Sequence, residues 1–159
     1  MDQKCCSKQD CSGFCCPITG FKFYCSKKFI SAAALMIIWV NFFSAIWHGF
    51  VMSTMYQQSA NLWRAEMRGA ELHLGLALAA IAAAYIFMKG YECSGWREGL
   101  RFGIIITALF SGMGLITHAT QPIPYKIIVM WSLGDLIMYS LGGMFLTALF
   151  CKIDSCCKK

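Results

Sequence analysis

Four stretches of this sequence run for seventeen residues or more almost without charge, and nothing else in the chain constrains its fold as strongly. The first runs from Phe29 to about Tyr56 with no charged residue; the second, from Leu72 to Met88, lies between Glu71 and Lys89. The third extends from about Arg101 to Thr120, where Pro122 and Pro124 end any helix because proline lacks the amide donor and disfavours a helical residue before it. The fourth begins near Tyr125 and reaches Cys151, with Asp135 inside it. At about 1.5 Å per residue, roughly 17 to 25 such residues cross a hydrocarbon layer about 30 Å thick. Helices satisfy their own backbone there without water. Composition closes off the alternatives. Of 159 residues, 58% are hydrophobic and 14% charged, and the mean hydropathy is +0.56. A soluble domain carries about 25% charged residues to wet its surface, and an aromatic share of 14% in long apolar blocks excludes disorder. The sequence predicts an all-α, polytopic membrane protein of four antiparallel transmembrane helices spanning about 29–56, 72–88, 101–120 and 125–151. A cysteine-rich arm, 1–28, precedes them and a short tail, 152–159, follows. Short connections predict that neighbours in sequence pack as antiparallel neighbours in space.

The net charge of +6 acquires meaning from its placement. Eleven basic residues, from Lys4, Lys8, Lys22, Lys27 and Lys28 through Lys89, Arg97 and Arg101 to Lys152, Lys158 and Lys159, fall on the side of the termini. The other side holds Arg64, Arg68 and Lys126. Cytoplasmic loops carry the excess of Lys and Arg, so both termini are expected in the cytoplasm, in a bacterial or archaeal inner membrane. Tyr91 and Trp96 on one side, and Trp63 and Tyr125 on the other, fit interfacial aromatic belts. The first apolar run follows about thirty polar residues and is too long for a signal-peptide core.

On this topology all ten cysteines lie on the terminal side. That compartment is reducing, which disfavours a disulfide framework and favours thiol chemistry or metal ligation. Cys5, Cys6, Cys11, Cys15 and Cys16 crowd one segment, with four residues between Cys6 and Cys11 and three between Cys11 and Cys15. Such spacings let two thiolates turn onto one ion, and thiolates suit Cu(I) or Zn(II). Neighbouring lysines favour the thiolate. Cys156 and Cys157 in the tail could join that set or, as juxtamembrane thiols, carry acyl chains.

Polar residues inside the spans need a reason, because an ionised side chain at mid-bilayer costs about 2.5–3.5 kcal/mol even on lenient scales. Asp135 is the plainest case, with Ser132 and Tyr139 on its helical face. Asn41, Ser44 and His48 form a stripe on the first span, and Gly103, Thr107, Ser111, Gly114 and His118 form one on the third. Gly75, Ala79 and Ala83 give the second span a small-residue edge. Asp135 bonded to Asn41 or a serine would glue the bundle; a carboxyl left available would serve a proton or ion relay. Towards the far side, His48, His73 and His118, with Met52 and Met55, could ligate Cu(I), Zn(II) or a haem. Alternatively, the histidines hydrogen-bond at helix ends. Trp39, Trp47 and Trp131 are expected in the core, with partners for their indole N–H groups.

The phrases Asn41–Gly49 (NFFSAIWHG), Glu98–Gly103 (EGLRFG), Gln121–Pro124 (QPIP) and Trp131–Asp135 (WSLGD) resemble small prokaryotic four-span membrane proteins of unknown function. The resemblance covers roughly 29–150 and implies a fold and a location without an activity. The vicinal cysteines are similar to those of bacterial mercury-uptake proteins, which place a pair within the first span; this chain has none there. No nucleotide-binding loop, HExxH or nucleophile elbow is present, so enzymatic chemistry has little support. Three functions fit. Soft-metal handling would pass ions from His and Met outside to thiolates inside. A non-catalytic subunit would pack in a larger membrane complex or with a second copy. Proton-coupled transport would use Asp135. The lipid bilayer is the expected partner, and no nucleic acid is.

Overall fold

The computed structural model describes residues 14–15, 22–23 and 27–154. Phe14–Cys15 (β1) pairs antiparallel with Lys22–Phe23 (β2), two residues a side. All other regular structure described is helical. Helix α1 covers Lys27–Ile46 and passes into a π-helical turn, Trp47–Val51, before a short helix α2, Ser53–Gln58, and a 3-10 turn, Ala60–Leu62. Helices α3 (Gly69–Gly90), α4 (Trp96–Thr120) and α5 (Tyr125–Asp154) follow. Four segments, Lys28–Val51, Gly69–Gly90, Trp96–Thr120 and Tyr125–Ile153, are long and apolar enough to cross a membrane. The chain is an all-α multi-pass membrane protein.

Two boundaries differ from the sequence expectation for physical reasons. The first span stops being α-helical at Trp47, where Met52 N–H bonds Trp47 O at 3.0 Å across a widened turn. The third span starts five residues early, because Glu98, nearly buried, folds back to accept the N–H groups of Glu92 and Ser94. Its carboxylate thereby closes the turn that contains Gly95 at φ +75°. Trp96, Arg97 and Arg101 are exposed there, at the level where long side chains reach water.

Buried positions recur every fourth residue on α1: Ala32, Met36, Val40 and Ser44. The opposite face presents Ile30, Ile38 and Phe42 to the lipid. The tightest pair is α4 with α5, where Gly99 lies on the backbone of Gly143 and Gly103 on that of Ser140; a Cβ at either glycine would collide. Helix α1 packs on α3 and on α5. The α1–α3 register is set by Phe29 against Tyr85, ring centroids 6.1 Å apart, and by Asn41 bonded to His73. The α1–α5 register is set by Trp39 and Trp47, whose indoles donate to the carbonyls of Met138 at 2.8 Å and Met130 at 3.2 Å. The expectation that every chain neighbour is a close neighbour holds for two pairs out of three. Helices α3 and α4, although joined by a short turn, are not among the closely packed pairs; they approach where Phe87 meets Phe102, centroids 5.1 Å apart, near that turn.

These registers place Gly69, the start of α3, level with Ala45, whereas the start of α5 is level with Met52. At about 1.5 Å per residue, α3 therefore begins about 10 Å below the far ends of its neighbours. The apolar core, including Met36, Val40, Ala80, Ala84, Phe87, Phe102, Ile106 and Phe150, fills the half nearer the termini. A smaller cluster of Met52, Ile123, Ile127 and Ile128 closes the far end of α1 and α5.

Candidate functional site

The shortened α3 leaves a cleft of about 400 Å³ among the helices. Ser44 and His48 line it from α1 and the π turn, and Glu71, Leu72, Gly75, Leu76 and Ala79 from α3. Phe110 of α4 and Asp135, Met138 and Tyr139 of α5 complete it. Ser44, His48 and Asp135 also border a hollow of about 10 Å³ closed by Trp47 and Trp131, the size of one water molecule. Phe110 stacks on Tyr139, centroids 5.3 Å apart and planes within 7°, so the cleft ends on aromatic faces above the core.

Asp135 makes no hydrogen bond or ion pair with another described residue. Its expected partners are engaged elsewhere. Asn41 Nδ2 donates to Ile37 O at 2.9 Å, which turns Oδ1 towards α3, where it accepts the His73 Nδ1–H at 2.7 Å. Ser44 Oγ points to Met138 Sδ at 3.7 Å. Thr107, buried, donates to Gly103 O of its own helix at 2.7 Å. Ser111 and Ser132 are half-buried and do not border the cleft. Tyr139 does border it, as the shared helical face predicted. Glu71, also in the wall, is ion-paired with Arg68 at 2.8 Å.

The three histidines are held separately. His48 Nδ1 lies 2.6 Å from Tyr56 Oη, and the two rings stack. The same oxygen accepts the Trp131 Nε1–H at 2.7 Å. Burial raises the Tyr56 phenol above its ordinary pKa, and the Trp131 bond opposes that shift. His118 donates Nδ1–H to Ile123 O at 2.7 Å, as helix-end histidines do. Met52 is fully buried, with Met55 packed against its cluster, and takes the Tyr56 hydroxyl on Sδ at 3.6 Å. His48 and Met52 thus meet on the Tyr56 hydroxyl, whereas His73 and His118 are engaged elsewhere. Among the described residues no three His, Cys, Asp or Glu side chains are grouped to hold a metal ion.

Cys5, Cys6, Cys11, Cys16, Cys156 and Cys157 lie outside the described residues, and Cys15 is described only as a strand position. Cys93 and Cys151 are half-buried, and Cys151 Sγ is 3.4 Å from Tyr91 Oη. Tyr56, Phe110 and Met138 are site residues that sequence reasoning missed; each has the character of an ordinary core or interfacial residue, and its role follows from where the helices cross. The indoles of Trp39 and Trp47 find their partners in backbone carbonyls.

No family model, curated protein or solved structure matches this chain.

Proposed function

We propose that this multi-pass membrane protein binds a proton or cation at Asp135 and couples it to transport. The observation that carries the reading is a carboxyl group with no partner among the described residues, bordering an open cleft well inside the span. A carboxylate placed so deep is costly unless a proton or a cation joins it, and such groups mark ion and proton pathways. The low start of α3 supports access. It brings exposed Arg68, Glu71 and His73 to about the level of Asp135, so polar groups reach from the far end down to the site. On the other side, Met36, Val40, Ala80, Phe102 and Ile106 form a closed apolar layer, so passage requires that layer to part. Helix α3 is packed mainly on α1 and is not closely packed on α4. This reading is preferred to soft-metal handling because the three far-side histidines bond to different groups, His48 to Tyr56, His73 to Asn41 and His118 to the Ile123 carbonyl. It is preferred to a purely structural subunit because a gluing carboxyl would have a partner.

The test is proton flux into proteoliposomes containing the full chain, read with an entrapped pH dye under an imposed potential. Asp135→Asn is expected to cut the flux at least tenfold while the far-ultraviolet circular dichroism stays that of the native helices. Equal flux in the variant would end the reading.

A further inference from the structure

The walls around Asp135 define its ligand more narrowly than the carboxyl does. Two acidic residues border the cleft, but Arg68 already matches Glu71 at 2.8 Å, and among the described residues no lysine or arginine borders it. One uncompensated negative charge is left, which repels anions and calls for a single positive charge. The remaining surface is mostly apolar: Leu72, Leu76 and Ala79 of α3, Phe110 of α4 and Met138 of α5. A small, strongly hydrated cation would lose its water against these side chains and recover little from them. A cation carrying an apolar body would gain the burial of that body as well as the charge contact. A volume of about 400 Å³ falls within the range of pockets that hold small organic molecules. Helices α3 and α4 are not closely packed together, and Leu72 and Gly75, which border the cleft from α3, are exposed.

Resting on the reading of Asp135 above, we propose that the cleft takes amphipathic monovalent cations, such as quaternary phosphonium or ammonium ions and protonated lipophilic amines. They enter sideways from the lipid between α3 and α4 and place their charge beside Asp135, with the apolar body against Leu72, Leu76 and Phe110. His48, Glu71 with Arg68, and Tyr139 are the other titratable groups facing the site; α4 contributes Phe110 and no titratable group. Because a proton and the organic cation compete for one carboxylate, binding of the cation weakens as the pH falls.

The experiment uses the full chain in lipid nanodiscs with tetraphenylphosphonium as probe, empty nanodiscs as background and tetramethylammonium as a hydrophilic ion of equal charge. Saturable tetraphenylphosphonium binding is expected, with at least a tenfold loss in Asp135→Asn and no displacement by equimolar tetramethylammonium. Gly75→Leu supplies an independent variant. A Cβ at Gly75 meets nothing within 4 Å, so the fold accommodates the substitution, and the added side chain occupies the cleft. It too is expected to weaken binding at least tenfold. Absent binding, or binding indifferent to Gly75→Leu, overturns the amphipathic-cation proposal even where proton flux still depends on Asp135. Binding and flux both indifferent to Asp135→Asn overturn the parent reading as well.

Discussion

Asp135 has no hydrogen-bond partner among the described residues, and Asn41, which the sequence puts at similar depth, is committed twice, to its own helix at Ile37 and to His73 of α3. The sequence shows both polar groups and their similar depth, but which way an amide turns is settled by the helix it faces. The tryptophans repeat the lesson. Trp39 and Trp47 are eight residues apart, as are Met138 and Met130, whose carbonyls accept their indoles, and Gly142 and Gly134, which leave room for the rings. Each glycine sits one turn after the carbonyl, so the ring lies over it and the N–H reaches the acceptor. Trp39→Phe keeps most of the ring and loses the bond; a destabilisation of about 0.5–1.5 kcal/mol is expected in reversible unfolding from mixed micelles. Gly134→Leu is expected to cost more, because a Cβ there would already lie 2.5 Å from Trp47 Nε1.

Between elements, the α4–α5 contact is the firmest. Gly99 and Gly103 on one helix, and Ser140 and Gly143 on the other, bring the backbones together, and dispersion over that closely matched surface replaces the hydrophobic effect that lipid cannot supply. Gly103→Leu is expected to destabilise the protein by about 1–3 kcal/mol in the same assay, whereas Gly112→Leu, where a Cβ meets nothing within 4 Å, should leave the midpoint unchanged. Equal effects would mean that this contact is not what holds the pair. The small-residue stripe on the third span is plain in the spacing of its residues, and Gly103 and Gly114 do face α5. The stripe on the second span, by contrast, serves no tight helix contact at Gly75; it walls an opening. Small residues permit close approach, and whether a partner takes the offer depends on how its own helix is tied.

At the scale of the whole molecule, four crossings bring the ends of α1 and α5 to one end of the bundle, and reporters fused to the two termini are expected on the same side of the membrane. The low start of α3 makes a second prediction. The Gly103–Ser140 contact and the α1 registers put Leu72 and Leu109 at nearly equal depth, one bordering the cleft and the other facing lipid. In sealed vesicles, a membrane-impermeant maleimide applied from the far side should label Leu72→Cys and spare Leu109→Cys; equal labelling would mean that water does not follow the cleft. The number of spans, their approximate limits and the same-side termini are all legible in the residue order, because the cost of exposing backbone and charge to hydrocarbon is counted along the chain and needs no knowledge of neighbours. The short reach of α3, the gap beside α4 and the isolation of Asp135 are not. Each depends on how far one helix slides along another before its side chains interlock, a balance of packing over surfaces contributed by residues up to a hundred positions apart.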